Sequence, residues 1–212
     1  LQRRSTGWQR GTTMSKTLYL ECYSGISGDM TVAALLDLGA DREVLKESLK
    51  SLPVGGFRTE ITRVKKSGLD ACDFSVILEQ DNHDHDMEYL HGSEKSYTGH
   101  HEHSHEVNHE HHHGHTHSHE HPHEHRGMKE ITEIIQKSEM TVRAKKMAMR
   151  VFDILAQAES KAHGVPVEEV HFHEVGAVDS IVDIAAIAIC MDNLDISNVI
   201  VPVLYEGTGF IR

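Results

Sequence analysis

Apolar residues recur along the chain at two spacings, every second residue and every third or fourth residue, which predict strands and helices respectively. In the first predicted helix, Met30, Ala33, Ala34 and Leu38 share one stripe. Asp41 is a suitable N-cap for the second helix. The elements predicted for the first part of the chain are a strand over 16–22, helices over 29–39 and 42–52, and a hairpin of strands 57–66 and 70–79 with its turn at 67–68.

The same patterns resume at Met128 after a long polar gap. Residues 177–193 are apolar almost all round, which predicts a helix inside the core. The other predicted elements are helices from 128 to about 137 and over 141–162, an extended segment over 170–174 and a strand over 199–203. This order of elements predicts an α/β fold, with α+β as the alternative.

Changes in composition divide the chain into four parts. Residues 1–13 are basic and aperiodic, and we expect them to be an upstream extension outside the fold. Residues 14–80 and 128–212 form two α/β halves, and the second half ends without a cap, which favours a truncated C-terminus. Residues 81–127 have too few large apolar groups to offset the entropy of ordering, so we expect a disordered insertion in the absence of metal.

Charge and composition exclude several classes of protein. The chain has 212 residues, and its 21 basic and 33 acidic residues give a formal charge of −12, which argues against binding to nucleic acids or anionic membranes. No apolar run approaches the roughly 20 residues that cross a bilayer. Three widely spaced cysteines do not form a disulfide framework, so we expect a cytoplasmic protein.

Histidine is the anomaly in this composition. Residues 83–125 contain 17 of the 20 histidines, with nine carboxylates and one lysine. Crowded imidazoles favour nickel, copper and zinc over magnesium or manganese, and a loose array suits capture and transfer of a metal ion. A solvated, pH-responsive linker is the alternative. The candidate metal ligands in this tract are His100, His101, His103, His105, His109, His111, His112, His113, His115, His117, His119, His121, His123 and His125.

A second candidate site is the segment SGISGDM at residues 24–30, between the first strand and the first helix. Glycines allow a ligand to approach the backbone, and a helix N-terminus offers unpaired N–H groups. Ser24, Gly25, Ser27 and Gly28 are therefore candidate substrate-binding residues, and Asp29 is a candidate catalytic residue. The alternative is that Ser27 or Asp29 only caps the helix.

A third candidate site is the segment HFHEVGAVDSIVD at residues 171–183. His171 and His173 share one face of an extended segment, and Asp179 and Asp183 share one stripe of the following helix. Two imidazoles and these carboxylates, with Glu174, form a plausible site for a divalent metal. Alternatively, the histidines lie on a solvated strand face and Asp179 interacts with the helix dipole, although Asp183 is harder to explain in that way.

These three segments, in this order, resemble the LarC-type nickel-insertion proteins of the lactate racemase system, over residues 14–212. The resemblance implies a chelatase of the lyase class. Such a protein inserts Ni²⁺ into pyridinium-3,5-bisthiocarboxylic acid mononucleotide to complete the nickel-pincer nucleotide cofactor, with CTP and Mg²⁺ or Mn²⁺. Glu21 stands where the family usually has Asp, and family members continue beyond Arg212 into a CTP-binding region. The resemblance therefore implies that the chain is the N-terminal portion, with the missing C-terminal region as its partner and a homo-oligomer as a possibility.

The working hypothesis is a chelatase in which the tract gathers Ni²⁺ and the 171–183 segment receives it. His171, His173, Glu174 and Asp179 are its candidate metal ligands, and Asp183 joins Asp29 as a candidate catalytic residue. Two alternatives stay open. One is a nickel or zinc buffer without catalytic activity, and the other is a metal-dependent nucleotide enzyme in which the tract is incidental.

Overall fold

The computed structural model describes residues 16–23, 25–79, 126–172 and 175–205. The extension at 1–13, residues 206–212 and all of the predicted histidine-rich insertion except residues 126–127 lie outside these ranges. Helices and short sheets are mixed, which confirms the α/β class. The strands are β1 Lys16–Tyr19, β2 Phe57–Lys66, β3 Leu69–Leu78, β4 Arg126–Gly127, β5 His171–Phe172 and β6 Ile196–Ile200, and the helices are α1 Gly28–Asp37, α2 Arg42–Lys50, α3 Met128–Lys137, α4 Val142–His163 and α5 Val178–Asn193, with a 3₁₀ turn at Val167–Glu169.

Helix α5 is the centre of the core, as its all-round apolar character predicts. It packs against α1, α2, α4, β3 and β6. Because neighbours surround α5, a single apolar stripe would leave polar side chains facing some of them. The side chains that it buries are Ile181, Val182, Ala185, Ala186, Ala188, Ile189 and Cys190.

The described strands form three two-stranded pairs. β1 and β6 are parallel, β2 and β3 form an antiparallel hairpin, and β4 and β5 are antiparallel. The hairpin turn lies at Ser67 and Gly68, as predicted, and both residues have positive φ angles, 52° and 83°. Strand β6 begins three residues earlier than the prediction of 199–203, because Ile196 is buried in the core.

Ionic contacts fasten the hairpin to α1. The Arg63 guanidinium on β2 donates to Asp37, the last residue of α1, and to Asp70 on β3. The second oxygen of Asp37 accepts the backbone N–H of Cys72 at 2.8 Å. These hydrogen bonds lower the pKa of Asp37 and fix the C-terminal end of α1.

The stripe predicted for α1 is wrong. Ala33 is buried, but Met30, Ala34 and Leu38 are exposed, and the helix instead buries Val32, Leu35 and Leu36. The reason is that α1 has apolar residues on most of its circumference, so its sequence does not determine which side faces α5 and β3.

None of the helices in the described ranges combines the length and the apolar composition needed to cross a bilayer. The three cysteines are buried thiols, as expected without a disulfide framework.

The N-cap of α2 gives a test of local stability. The Asp41 side chain accepts the backbone N–H groups of Glu43 and Val44, so we expect Asp41→Ala to lower the free energy of unfolding by about 1 kcal/mol. Urea denaturation followed by circular dichroism measures this. Glu47→Ala, an exposed change on the same helix, is the matched control; an equal loss in both variants would contradict a capping role.

Candidate functional site

The N-terminal ends of α1 and α5 approach each other at one glycine. A Cβ atom built on Gly28 would lie 2.8 Å from the Cβ of Asp183, which is closer than real side chains come. The first residue of α1 therefore has to be glycine for Asp183 to keep its position. This contact brings the SGISGDM segment against the acidic stripe of α5.

Asp183 is a partly buried carboxylate without compensation. Its Oδ1 atom is buried and has no hydrogen-bond partner. Burial, with smaller effects from the negative charges of Asp29 and Asp179, raises the pKa of Asp183 to about 6. An unpartnered buried oxygen is costly, so the arrangement favours a group that binds there.

The two neighbouring carboxylates are held at helix starts. Asp29 Oδ1 accepts from the Ser27 hydroxyl and, at 2.7 Å, from the Met30 N–H. Asp179 Oδ1 accepts the N–H of Ser180 at 2.8 Å. Both side chains lie in the first turn of their helices, where the helix dipole stabilises negative charge. Asp183 is one turn further along α5, where this stabilisation fades.

A small antiparallel pair, β4 with β5, lies beside the start of α5. Arg126 pairs with Phe172 and Gly127 with His171. The Arg126 guanidinium also donates to the carbonyl oxygen of Gly176 at 3.0 Å, just before α5 begins. Because Arg126 directly follows His125, the C-terminal end of the histidine tract is joined to β4, which pairs with the strand that carries His171.

The structure brings together only some of the predicted site residues. Gly28, Asp29, Asp179 and Asp183 form one group, hereafter the carboxylate cluster. His171 is exposed on β5. In the described ranges, no three His, Cys, Asp or Glu side chains are placed to hold a metal ion together. Ser24, His173, Glu174 and the tract histidines lie outside the described residues, so the complete predicted ligand set is not tested.

Ser27 does precede α1, but it does not cap the helix with its side chain. Its hydroxyl donates to Asp29 instead of accepting a backbone N–H. Gly25 has a positive φ of 83°, which fits the predicted need for glycine in this turn. The backbone geometry thus keeps the Asp29 carboxylate at the start of α1.

Sequence reasoning missed two features of this site. The contact between Gly28 and Asp183 joins positions far apart in sequence, and no local pattern indicates it. The role of Arg126 was also missed, because two-residue strands leave no periodic pattern. A single arginine directly after a histidine-rich segment was the only available signal.

Hard oxygen donors around an unpartnered carboxylate can bind a divalent cation. A cation bound to Asp183 would also reduce its repulsion from Asp29 and Asp179. Its affinity would fall in acid, because the proton competes for Asp183 near pH 6.

The close packing at Gly28 gives one prediction. We expect Gly28→Ala to lower the free energy of unfolding by about 1–3 kcal/mol, because the new methyl group displaces Asp183. Chemical denaturation measures the loss. Gly55→Ala is the matched control, since a Cβ there meets no atom within 4 Å. Equal stability of the two variants would mean that the α1–α5 contact is not as close as described.

The raised pKa of Asp183 gives a second prediction. Because the pKa in the folded state, about 6, is above the ordinary value of 3.8, the folded protein loses stability as the pH rises between these values. In metal-free protein near pH 7.5, we expect Asp183→Asn to raise the free energy of unfolding by about 1 kcal/mol, allowing for solvent screening.

The difference in unfolding free energy between Asp183→Asn and the unmodified protein should shrink below about pH 4. There the Asp183 carboxyl group of the folded protein is protonated and neutral, like the asparagine that replaces it. Denaturant titrations at several pH values with a chelator present measure it. Asp179→Asn is the control for removing one charge from the same helix, since its carboxylate has a backbone partner. A loss of stability in Asp183→Asn near pH 7.5 would show that the carboxylate has a favourable partner.

The chain is similar in sequence to known proteins. A family model described as "Nickel insertion protein" matches residues 18–212. A curated protein from Alkaliphilus metalliredigens, named pyridinium-3,5-bisthiocarboxylic acid mononucleotide nickel insertion protein, is 50% identical over 200 residues, 94% of this chain and 42% of that protein. Proteins of the same name from Clostridium acetobutylicum and Geobacillus kaustophilus are 44% and 41% identical, each over 93% of this chain and over 45% and 40% of their own lengths.

The chain thus spans less than half the length of the curated relatives it matches. No solved structure matches it significantly. The family model covers nearly the whole sequence, including the segments that carry Gly28, Asp29, Asp179 and Asp183, and the chain belongs to the nickel insertion protein family.

Proposed function

We propose that the chain is the nickel-handling part of a chelatase that inserts Ni²⁺ into pyridinium-3,5-bisthiocarboxylic acid mononucleotide. The family match and the names of the relatives support nickel and this substrate. The structural observation that carries the proposal is the buried, unpartnered oxygen of Asp183, which lies close to two further carboxylates. The inferred reaction class is that of a lyase acting in the cytoplasm.

Nickel is the cargo in this proposal. The histidine tract collects Ni²⁺ because many imidazoles bind it in exchangeable arrangements. His171, joined to the tract through the β4–β5 pair, then receives it with His173 and Glu174. The carboxylate cluster is the last protein site before transfer.

Carboxylates suit the last step because they hold nickel weakly. The product offers soft sulfur ligands, and a borderline metal exchanges hard oxygen ligands for them favourably. The Asp183 carboxylate, with its pKa near 6, can take up a proton as the metal leaves, which hinders the metal's return. Asp29 and Asp183 are therefore the proposed catalytic residues, and Asp179 a proposed ligand.

The mononucleotide is proposed to lie along residues 24–29. Gly25, with its positive φ, and Gly28, with no side chain, let the substrate approach the backbone, and Ser24 and Ser27 supply hydroxyl groups. Ser27 already donates to Asp29, so substrate binding and the position of that carboxylate are coupled.

The carboxylate cluster is a poor site for CTP. The charges that act on Asp183 are both negative, and they would repel a triphosphate. We therefore assign the requirement for CTP with Mg²⁺ or Mn²⁺, which the family resemblance implies, to the portion of the relatives that this chain does not span.

The experiment uses a chimaera in which this chain replaces the aligned 200 residues of the Alkaliphilus metalliredigens relative. The chimaera is mixed with Ni²⁺, CTP, Mn²⁺ and the mononucleotide, and absorbance follows formation of the nickel–sulfur product. We expect Asp183→Asn to lower the rate at saturating nickel about tenfold or more. Asp153→Asn on α4 is the matched control and should leave the rate unchanged.

A second variant separates a chelatase from a nickel or zinc buffer, which the 17 histidines of residues 83–125 also favour. It replaces these histidines with asparagine and keeps Arg126 and Gly127, so that the β4–β5 pair remains. A chelatase keeps its rate at saturating nickel and slows only when nickel is scarce. Nickel binding without any product in the unmodified chimaera would instead identify a buffer.

A further inference from the structure

The parallel pair β1–β6 is incomplete as a sheet. In the described ranges each of its two strands has a hydrogen-bonded neighbour on one side only. Parallel strands normally belong to larger sheets that are covered on both faces, and two strands alone are marginally stable. The pairing continues beyond the strands through a bridge between Cys22 and Leu204, so the open edges are long.

This pair is covered around Leu18 and Ile196, and most of its remaining residues are exposed. Leu18 and Ile196 face the helical core and are buried. By contrast, Tyr19 is 53% exposed and Leu204 is 64% exposed. The Tyr23 and Tyr205 rings lie 6.0 Å apart, so the apolar region continues past the end of β1. We call it the β1–β6 surface, and its exposed residues are Tyr19, Tyr23, Val199, Ile200, Val201, Val203, Leu204 and Tyr205.

So many neighbouring aromatic and aliphatic side chains are unusual on a free surface. Single exposed apolar residues need no explanation, but a contiguous patch indicates an interaction site. Open parallel edges add unpaired backbone N–H and C=O groups, which attract a further strand. The β1–β6 surface therefore has both exposed apolar side chains and an edge for a partner to bind.

We propose that the occupant of the β1–β6 surface is the portion of the family's polypeptide that this chain does not span, and that it extends the sheet. More than half of the Alkaliphilus metalliredigens relative lies outside the 42% that aligns, which is ample for additional strands and helices. A second copy of the chain is a poorer occupant, because each copy has a formal charge of −12 and like charges repel.

The location of this surface connects it to the carboxylate cluster. Residues 25–30 follow β1, and Ile26 and Met30 are exposed there, next to Asp29. In parallel sheets ligands bind beyond the carboxyl ends of the strands, so a partner on this surface would border the cluster. The docking itself does not depend on the proposed function.

Hydroxyl-radical footprinting tests the proposal. It compares the reactivity of Tyr19, Tyr205 and Leu204 in this chain and in the chimaera described above. We expect several-fold lower reactivity of these residues in the chimaera. Leu69, exposed at 73% beside the turn between β2 and β3, is the internal control and should react equally in both proteins.

Equal reactivity of the β1–β6 residues in the two proteins would overturn the proposal. Protection in the chain alone that grows with its concentration would also overturn it, because the occupant would then be a second copy. If the chimaera does not fold, as judged by circular dichroism, the remaining portion of the relative is added as a separate polypeptide and the footprint is repeated.

A pair of variants gives an independent readout. Leu204→Lys should leave the unfolding free energy of this chain unchanged, because the side chain is exposed, but should destabilise the chimaera. Leu69→Lys is the matched control and should be neutral in both. Neutrality of Leu204→Lys in a folded chimaera would contradict docking at this surface. None of these measurements depends on nickel transfer, so failure here is distinguishable from failure of the proposed function.

Discussion

The contact between Gly28 and Asp183 is the constraint on which the candidate site depends. It holds a carboxylate between two helix ends, where water is partly excluded and no hydrogen bond reaches one of its oxygens. A protein that needed only stability would place an apolar or amide side chain there. The retained cost therefore marks Asp183 as a candidate functional residue, and the nearby charges of Asp29 and Asp179 add to that cost.

Helix α5 makes this arrangement possible. Its apolar residues on nearly all sides anchor it among α1, α2, α4 and β3, so a single costly carboxylate near its start is tolerated. The same rigidity fixes the distance between Asp179 and Asp183, which lie one turn apart. The carboxylate cluster thus lies on regular helices, while His171 lies on a short strand at the edge of the core.

Local patterns predicted most elements, because helix caps, turns and periodicity are local properties. Asp41 caps α2, Gly68 forms the hairpin turn and residues 177–193 predicted the central helix α5. The stripe of α1 was wrong because Met30 and Leu38 are apolar yet exposed, and composition alone does not indicate which apolar side is buried. The contact of Gly28 with Asp183 was beyond sequence reasoning, since it depends on how two distant helices pack.

In the proposed function, the attachment of the histidine tract lets an insertion outside the site supply it with nickel. Because His125 is bonded to Arg126, and Arg126 pairs with Phe172, the tract is tethered within a few residues of His171. A tethered ligand array acts at a far higher local concentration than the same ligands free in solution. Under that proposal, weak imidazole sites would suffice to supply the carboxylate cluster, and their weakness would permit release of the metal. In this proposal the tract provides exchangeable ligands, and the pairing of β4 with β5 keeps its C-terminal end close to His171.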